Sequence, residues 1–126
     1  MTEFRKNYDL EERTANFGEA VIKFCHTIEQ NVISRPIVNQ LVRSGTSIGA
    51  NYMEANSASS KKDFRNKIYI CKKESQETKH WLRMMIAVVP NKKEEISKLS
   101  RECQELILIF GKIISSLNIG VSKLNN

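Results

Sequence analysis

A chain of 126 residues fits one domain, long enough to bury a core without disulfide or metal staples. Hydrophobic content of 40% and charged content of 27% are ordinary for a globular protein, and five Gly with two Pro are too few turn residues for a sandwich or barrel of many short strands. The formal net charge of +6 is uneven: residues 1–34 hold four Lys/Arg against six Asp/Glu, residues 35–93 twelve against four, and residues 94–126 four against four, so the middle carries the whole excess. A localised basic region is the electrostatic footprint of a polyanion partner. The longest apolar run, Leu106 to Phe110, is far short of the ~18 residues a membrane span needs. The N-terminus lacks the apolar stretch of an export signal, so the three cysteines are expected to be reduced thiols in a cytoplasmic protein.

In chain order, the first segment places Leu10, Phe17, Val21, Phe24 and Ile28 on one stripe at about 100° per residue, after Asp9 as candidate N-cap. A loop at Asn31–Arg35 leads to Pro36, which suits the first turn of a second helix. That helix faces the core with Ile37, Leu41, Ile48 and Ala55. It also holds Gly45 and Gly49, each costing ~1 kcal/mol relative to Ala inside a helix. Close backbone approach to a neighbour is the usual compensation, and we assign both glycines to a subunit interface.

A capping-box pattern, Ser60-Lys61-Lys62-Asp63, opens the third segment. Phe64, Ile68, Cys71, Ser75, Thr78, Leu82, Met85 and Val89 then alternate at spacings of four and three, a heptad pattern that Pro90 stops. The fourth segment continues the rhythm with Ile96, Leu99, Cys103, Leu106, Phe110, Ile113 and Leu117, and Gly120 lies near its end. The expected fold is all-α: a single domain, 1–126, built as an antiparallel up-down-up-down four-helix bundle with helices at about 10–31, 36–56, 61–89 and 92–117 and flexible ends at 1–8 and 118–126.

Two details point beyond a monomer. Leu106 to Phe110 is apolar right round the helix and needs cover on every side. Ile70 and Trp81 fall about 100° from the core stripe, which suits a subunit interface; the plain alternative is cover by residues 1–8 or 118–126.

Candidate chemistry is sparse. A di-iron bundle needs two Glu-x-x-His motifs and two further Glu facing inward; the chain has one such motif, Glu77 to His80, pointing away from the core. Cys71 and Cys103 occupy core positions, Cys25 and His26 diverge on adjacent helical residues, and no phosphate loop, zinc spacing or nucleophile elbow occurs. We therefore assign no catalytic residue, metal or cofactor, and expect no enzyme. By contrast, Lys61, Arg65, Lys72, Lys79 and Arg83 lie within about 40° of one another on the third helix. Such a stripe can track a phosphate backbone, and Tyr69 and His80 beside it can stack on unpaired bases. The plain alternative is a row of snorkelling cations at the rim of a packed face.

Two sequence blocks carry a family resemblance. Arg43-Ser44-Gly45-Thr46-Ser47-Ile48-Gly49-Ala50-Asn51, followed by Glu54-Ala55, resembles a signature of bacterial four-helix-bundle proteins encoded by intervening sequences of large-subunit ribosomal RNA genes, a ribosomal-protein-like family. Ser60 to Phe64, with Lys73-Glu74-Ser75-Gln76-Glu77-Thr78 leading into Trp81-Leu82, resembles a second signature at the right distance. The resemblance implies a bundle that assembles into a homopentameric ring, with the accessory proteins of diversity-generating retroelements among its relatives. It carries no catalytic residues. The expectation is a non-enzymatic, oligomeric scaffold for structured RNA, with a reverse-transcriptase accessory role or a protein-interaction hub as alternatives.

Overall fold

The computed structural model describes the backbone of residues 2–125 and the side chains of residues 10–118. Four helices account for nearly all of it: α1 (Thr2–His26), α2 (Ser34–Asn56), α3 (Lys61–Val88) and α4 (Lys93–Asn125), with a single 3₁₀ turn at Pro90–Lys92. Among the described residues there is no strand. Each helix packs on its chain neighbours and α1 closes on α4, while across the diagonal the Tyr52 ring of α2 meets that of Phe110 of α4 in the core, centroids 6.3 Å apart. Short links force antiparallel neighbours, so this is the expected four-helix bundle. The α2–α3 pairing is the most extensive and the α1–α4 seam the sparsest.

The core follows the heptads. Leu10, Phe17, Val21, Phe24 and Ile28 come from α1 and its exit; Val38, Leu41, Ile48, Tyr52 and Ala55 from α2; Ile68, Cys71, Leu82 and Met85 from α3; and Ile96, Cys103, Leu106, Phe110 and Ile114 from α4. At the far end of α4 the buried residue is Ile114, while Ile113 and Leu117 are only half-buried. A straight helix drifts ~20° per heptad against a 3.5-residue repeat, so after two heptads the position four residues on replaces the one three on.

Small polar side chains let the helices approach at the waist of the bundle. Ser44, Ser75 and Thr78 are fully buried, and each donates to a carbonyl of its own preceding turn. The Cys103 thiol reaches the Ser75 carbonyl at 3.0 Å and the Cys71 thiol the Ile48 carbonyl at 3.7 Å. Burial pushes these thiols up to about 12 and that of Cys25 to about 11, so all three are protonated at neutral pH.

The helix boundaries depart from expectation in three places. α1 begins at Thr2, so Asp9 lies inside the helix and is no cap. Nothing between residues 2 and 9 breaks a helix, and Glu3, Arg5 and Lys6 favour one. α1 ends at His26, not near residue 31, because the link is organised by side chains that compete with helix. Asn31 Oδ1 accepts the N–H groups of Ile33 and Ser34, both at 2.9 Å; Ser34 Oγ, buried, donates to the Glu29 carbonyl at 2.6 Å and accepts from Asn31 N at 2.9 Å. α4 runs through Gly120 to Asn125, so that glycine does not terminate it. At the start of α3, Ser60 Oγ accepts from Asp63 N at 3.1 Å as the capping box requires, but the Asp63 carboxylate is met by the Ser59 hydroxyl.

The glycines of α2 face α1 of the same chain. A methyl group on Gly45 would lie 3.1 Å from both γ-carbons of Val21, and one on Gly49 would lie 3.3 Å from Thr14 Oγ1. The close approach is intramolecular, which corrects their assignment to a subunit interface. Between α1 and α2 it leaves a shallow outer groove with Gly18, Gly49 and Ala50 along it and the exposed Ile22 and Met53 at its edges.

Candidate nucleic-acid interface

The third helix presents two flanks of opposite electrostatic character. On the α2 side its charges are neutralised. Arg43 of α2 bridges Glu74, at 3.2 Å, and Glu77. The Trp81 indole N–H donates to the same Glu77 carboxylate at 3.4 Å, and the His80 ring meets Trp81 edge-on at 4.9 Å. The hydrogen bond from Arg43 holds the Glu77 carboxyl below its usual range, and the same bond raises Arg43. Lys67 is paired with Glu54 at 3.2 Å. Both members of the Glu77-x-x-His80 motif are thus engaged, and among the described residues no group of three or more His, Cys, Asp or Glu side chains is placed to hold a metal ion.

This flank also holds Ile70 and Trp81. Both are half-buried, and Trp81 packs against the core, so neither is the exposed apolar anchor that its wheel position suggested. Arg43 of α2 reaches this flank through Glu77, the carboxylate that the Trp81 indole also meets, a cross-helix contact that a single-helix wheel does not include. The exposed large apolar side chains lie elsewhere: Ile22, Val32, Ile33, Met53, Tyr69 and Leu108. Within Leu106–Phe110, Leu106 and Phe110 are buried and Leu108 is 58% exposed.

On the α4 side the picture reverses. Lys61, Lys79 and Arg83 are exposed and Arg65 and Lys72 half-buried, in a row that spans ~33 Å at 1.5 Å per residue. None of the five makes an ion pair with a carboxylate among the described residues. Where they have partners, these are neutral. Lys79 donates to Gln104 Oε1, and the Lys72 ammonium lies over Gly111, 4.0 Å from where a side chain there would begin. Arg65 Nε is buried with no hydrogen-bond partner among the described residues. Tyr69 is 46% exposed, and its hydroxyl accepts from Asn118 Nδ2 at 3.4 Å.

The α4 contribution escaped the reading of the sequence, although a signal exists. Gln104, Gly111 and Asn118 repeat every seven residues, as Arg65, Lys72 and Lys79 do on α3. In an antiparallel pair these two rows lie side by side. One is cationic, the other uncharged. The resulting face offers positive charge with no internal acid to quench it, and hydrogen-bonding groups along its border.

A family model described as 23S rRNA-intervening sequence protein matches residues 6–112. The chain belongs to this family. The match spans α1 to α3 and more than half of α4, including the whole cationic row. The chain is also similar to a protein of unknown function from the S23 ribosomal protein family of Bacteroides thetaiotaomicron, whose crystal structure was determined at 1.70 Å. The two are 29% identical and superpose with a TM-score of 0.74 over 83% of this chain and 97% of that one. No curated protein matches the chain. Among the described residues no helix is long and apolar enough to cross a membrane.

Proposed function

We propose that the protein is a non-enzymatic, oligomeric scaffold that binds RNA along the α3–α4 face. One observation carries the reading: Lys61, Arg65, Lys72, Lys79 and Arg83 line up without a carboxylate partner among the described residues, whereas Arg13 and Arg43 on other faces each bridge two carboxylates and Lys67 one. Cations that serve only solubility gain by pairing with nearby acids. A row free of ion-paired acids over about six helical turns is suited to phosphates, and membership of a family tied to ribosomal RNA genes makes RNA the favoured polyanion.

Filter binding to ribosomal RNA at several salt concentrations tests the reading. Five phosphate contacts give a log–log salt slope of about −3.5 if the strand is single. Replacing Lys72, Lys79 and Arg83 by Glu should abolish binding at low salt. Wild-type protein without affinity at low salt, or unaffected by that triple change, overturns it. A single protein partner recovered after nuclease treatment would favour the hub reading.

The assembled state in this proposal is a homopentameric ring in the cytoplasm. Its support is the family resemblance together with Ile22 and Met53, large apolar side chains left exposed along the outer α1–α2 groove, away from the cationic row.

A further inference from the structure

We infer that the α3–α4 face takes unpaired nucleotides, with Tyr69 as the platform on which a base stacks and Gln76 as the group that meets its edge. This rests on the RNA-binding reading and deepens it. Tyr69, Ile70, Lys72, Lys73 and Gln76 line a shallow hollow of about 340 Å³ on the outer surface of α3, where it borders the cationic row at Lys72. It combines an aromatic ring, two ammonium groups and a carboxamide within two turns of one helix.

Each part has a matching feature on a nucleotide. The Tyr69 ring is nearly half exposed while its hydroxyl is tethered to Asn118, so the platform is held from its far end by α4. Stacking on such a ring is tolerant of base identity because every base has a π-face. The Gln76 amide is exposed and makes no hydrogen bond within the described residues, leaving two donors and an acceptor for a base edge. Lys72 and Lys73 flank the hollow for the adjoining phosphates, and Arg65, one turn before Tyr69, has a buried Nε donor still unpartnered.

The shape of the row argues the same way. It is one side chain wide and runs ~33 Å along α3, a track for the phosphates of one strand. A duplex hides the faces of its bases in the stack and offers mainly shape and phosphates, which would leave Tyr69 and Gln76 without a role.

The test compares a uridine oligonucleotide with an RNA duplex of equal length across several salt concentrations. Wild-type protein should favour the single strand at matched salt. Tyr69→Leu should weaken single-strand binding roughly 5- to 100-fold, leave the salt slope unchanged and leave duplex binding unaltered. Tyr69→Phe should retain single-strand affinity, and Gln76→Ala should reduce it without altering the slope. Equal single-strand affinity in Tyr69→Leu and wild type, or equal losses for both RNA forms, overturns the inference while the RNA reading stands. Wild-type protein that binds neither RNA at low salt overturns the RNA reading itself.

Discussion

At the scale of the residue, the glycines show how a few tenths of an ångström decide the sign of a substitution. A methyl group on Gly18 would meet its nearest neighbours at 3.6 Å, ordinary contact, so Gly18→Ala should stabilise the fold by about 0.5–1 kcal/mol through helix propensity and the unfolded chain. At Gly45 the same methyl meets Val21 at 3.1 Å; Val21 is fully buried and stiff at χ1, so overpacking of about 1–3 kcal/mol outweighs the propensity gain. Urea titrations of the two variants should move their midpoints in opposite directions. The glycines were conspicuous in the sequence as a penalty awaiting compensation. Their neighbour was not, because Val21 and Thr14 become adjacent only once α1 and α2 are docked. The same blindness placed Trp81 in the open: its wheel position is correct, but Arg43 and the rest of α2 crowd the flank it lies on.

At the scale of the element, the four helices were legible because their apolar period is sustained for many turns, and long periods survive local noise. Their ends were not, because Asn31 and Ser34 act through specific hydrogen bonds that leave no periodic trace. The weakest joint is the α1–α4 seam, and its principal polar clasp is Arg13, which donates to both oxygens of Glu102 at 2.6 and 2.7 Å and also reaches Glu105 at 3.1 Å. The hydrogen bond from Arg13 holds the Glu102 carboxyl below its usual 4.5. A carboxyl depressed in the folded state contributes stability above its unfolded pKa and loses it as pH falls through the folded value. Glu102→Gln should therefore cost up to about 1 kcal/mol near pH 7, bidentate geometry placing it at the upper end for a partly exposed pair. Near pH 3 the wild type should lose most of that advantage, and denaturation curves at the two pH values check the convergence.

At the scale of the whole molecule, the chain places its charge asymmetrically. Among the described residues the ion pairs lie on the α2–α3 and α1–α4 faces, and none lies on the α3–α4 face. Half of that pattern was readable: the cationic row follows from one helix and a wheel. The neutral row of Gln104, Gly111 and Asn118 gains its meaning only from the antiparallel register of two helices, which a wheel drawn for one cannot supply. The proposed ring is a property of this scale too. Light scattering at micromolar concentration should return five times the mass of the chain, and a monomer would remove the ring from the proposal while leaving the cationic face intact.

The neutral partners of that face have a consequence for the entropy of binding. A free lysine surrenders up to about 2 kcal/mol of rotamer freedom when a ligand immobilises it. Lys79 is already tethered to Gln104, and Lys72 already lies along the gap that Gly111 leaves in α4. Part of their disorder is thus given up during folding, before any ligand arrives. Neither tether neutralises the charge, so the ammonium groups wait in place at full strength, a preorganised comb instead of a fringe of mobile cations.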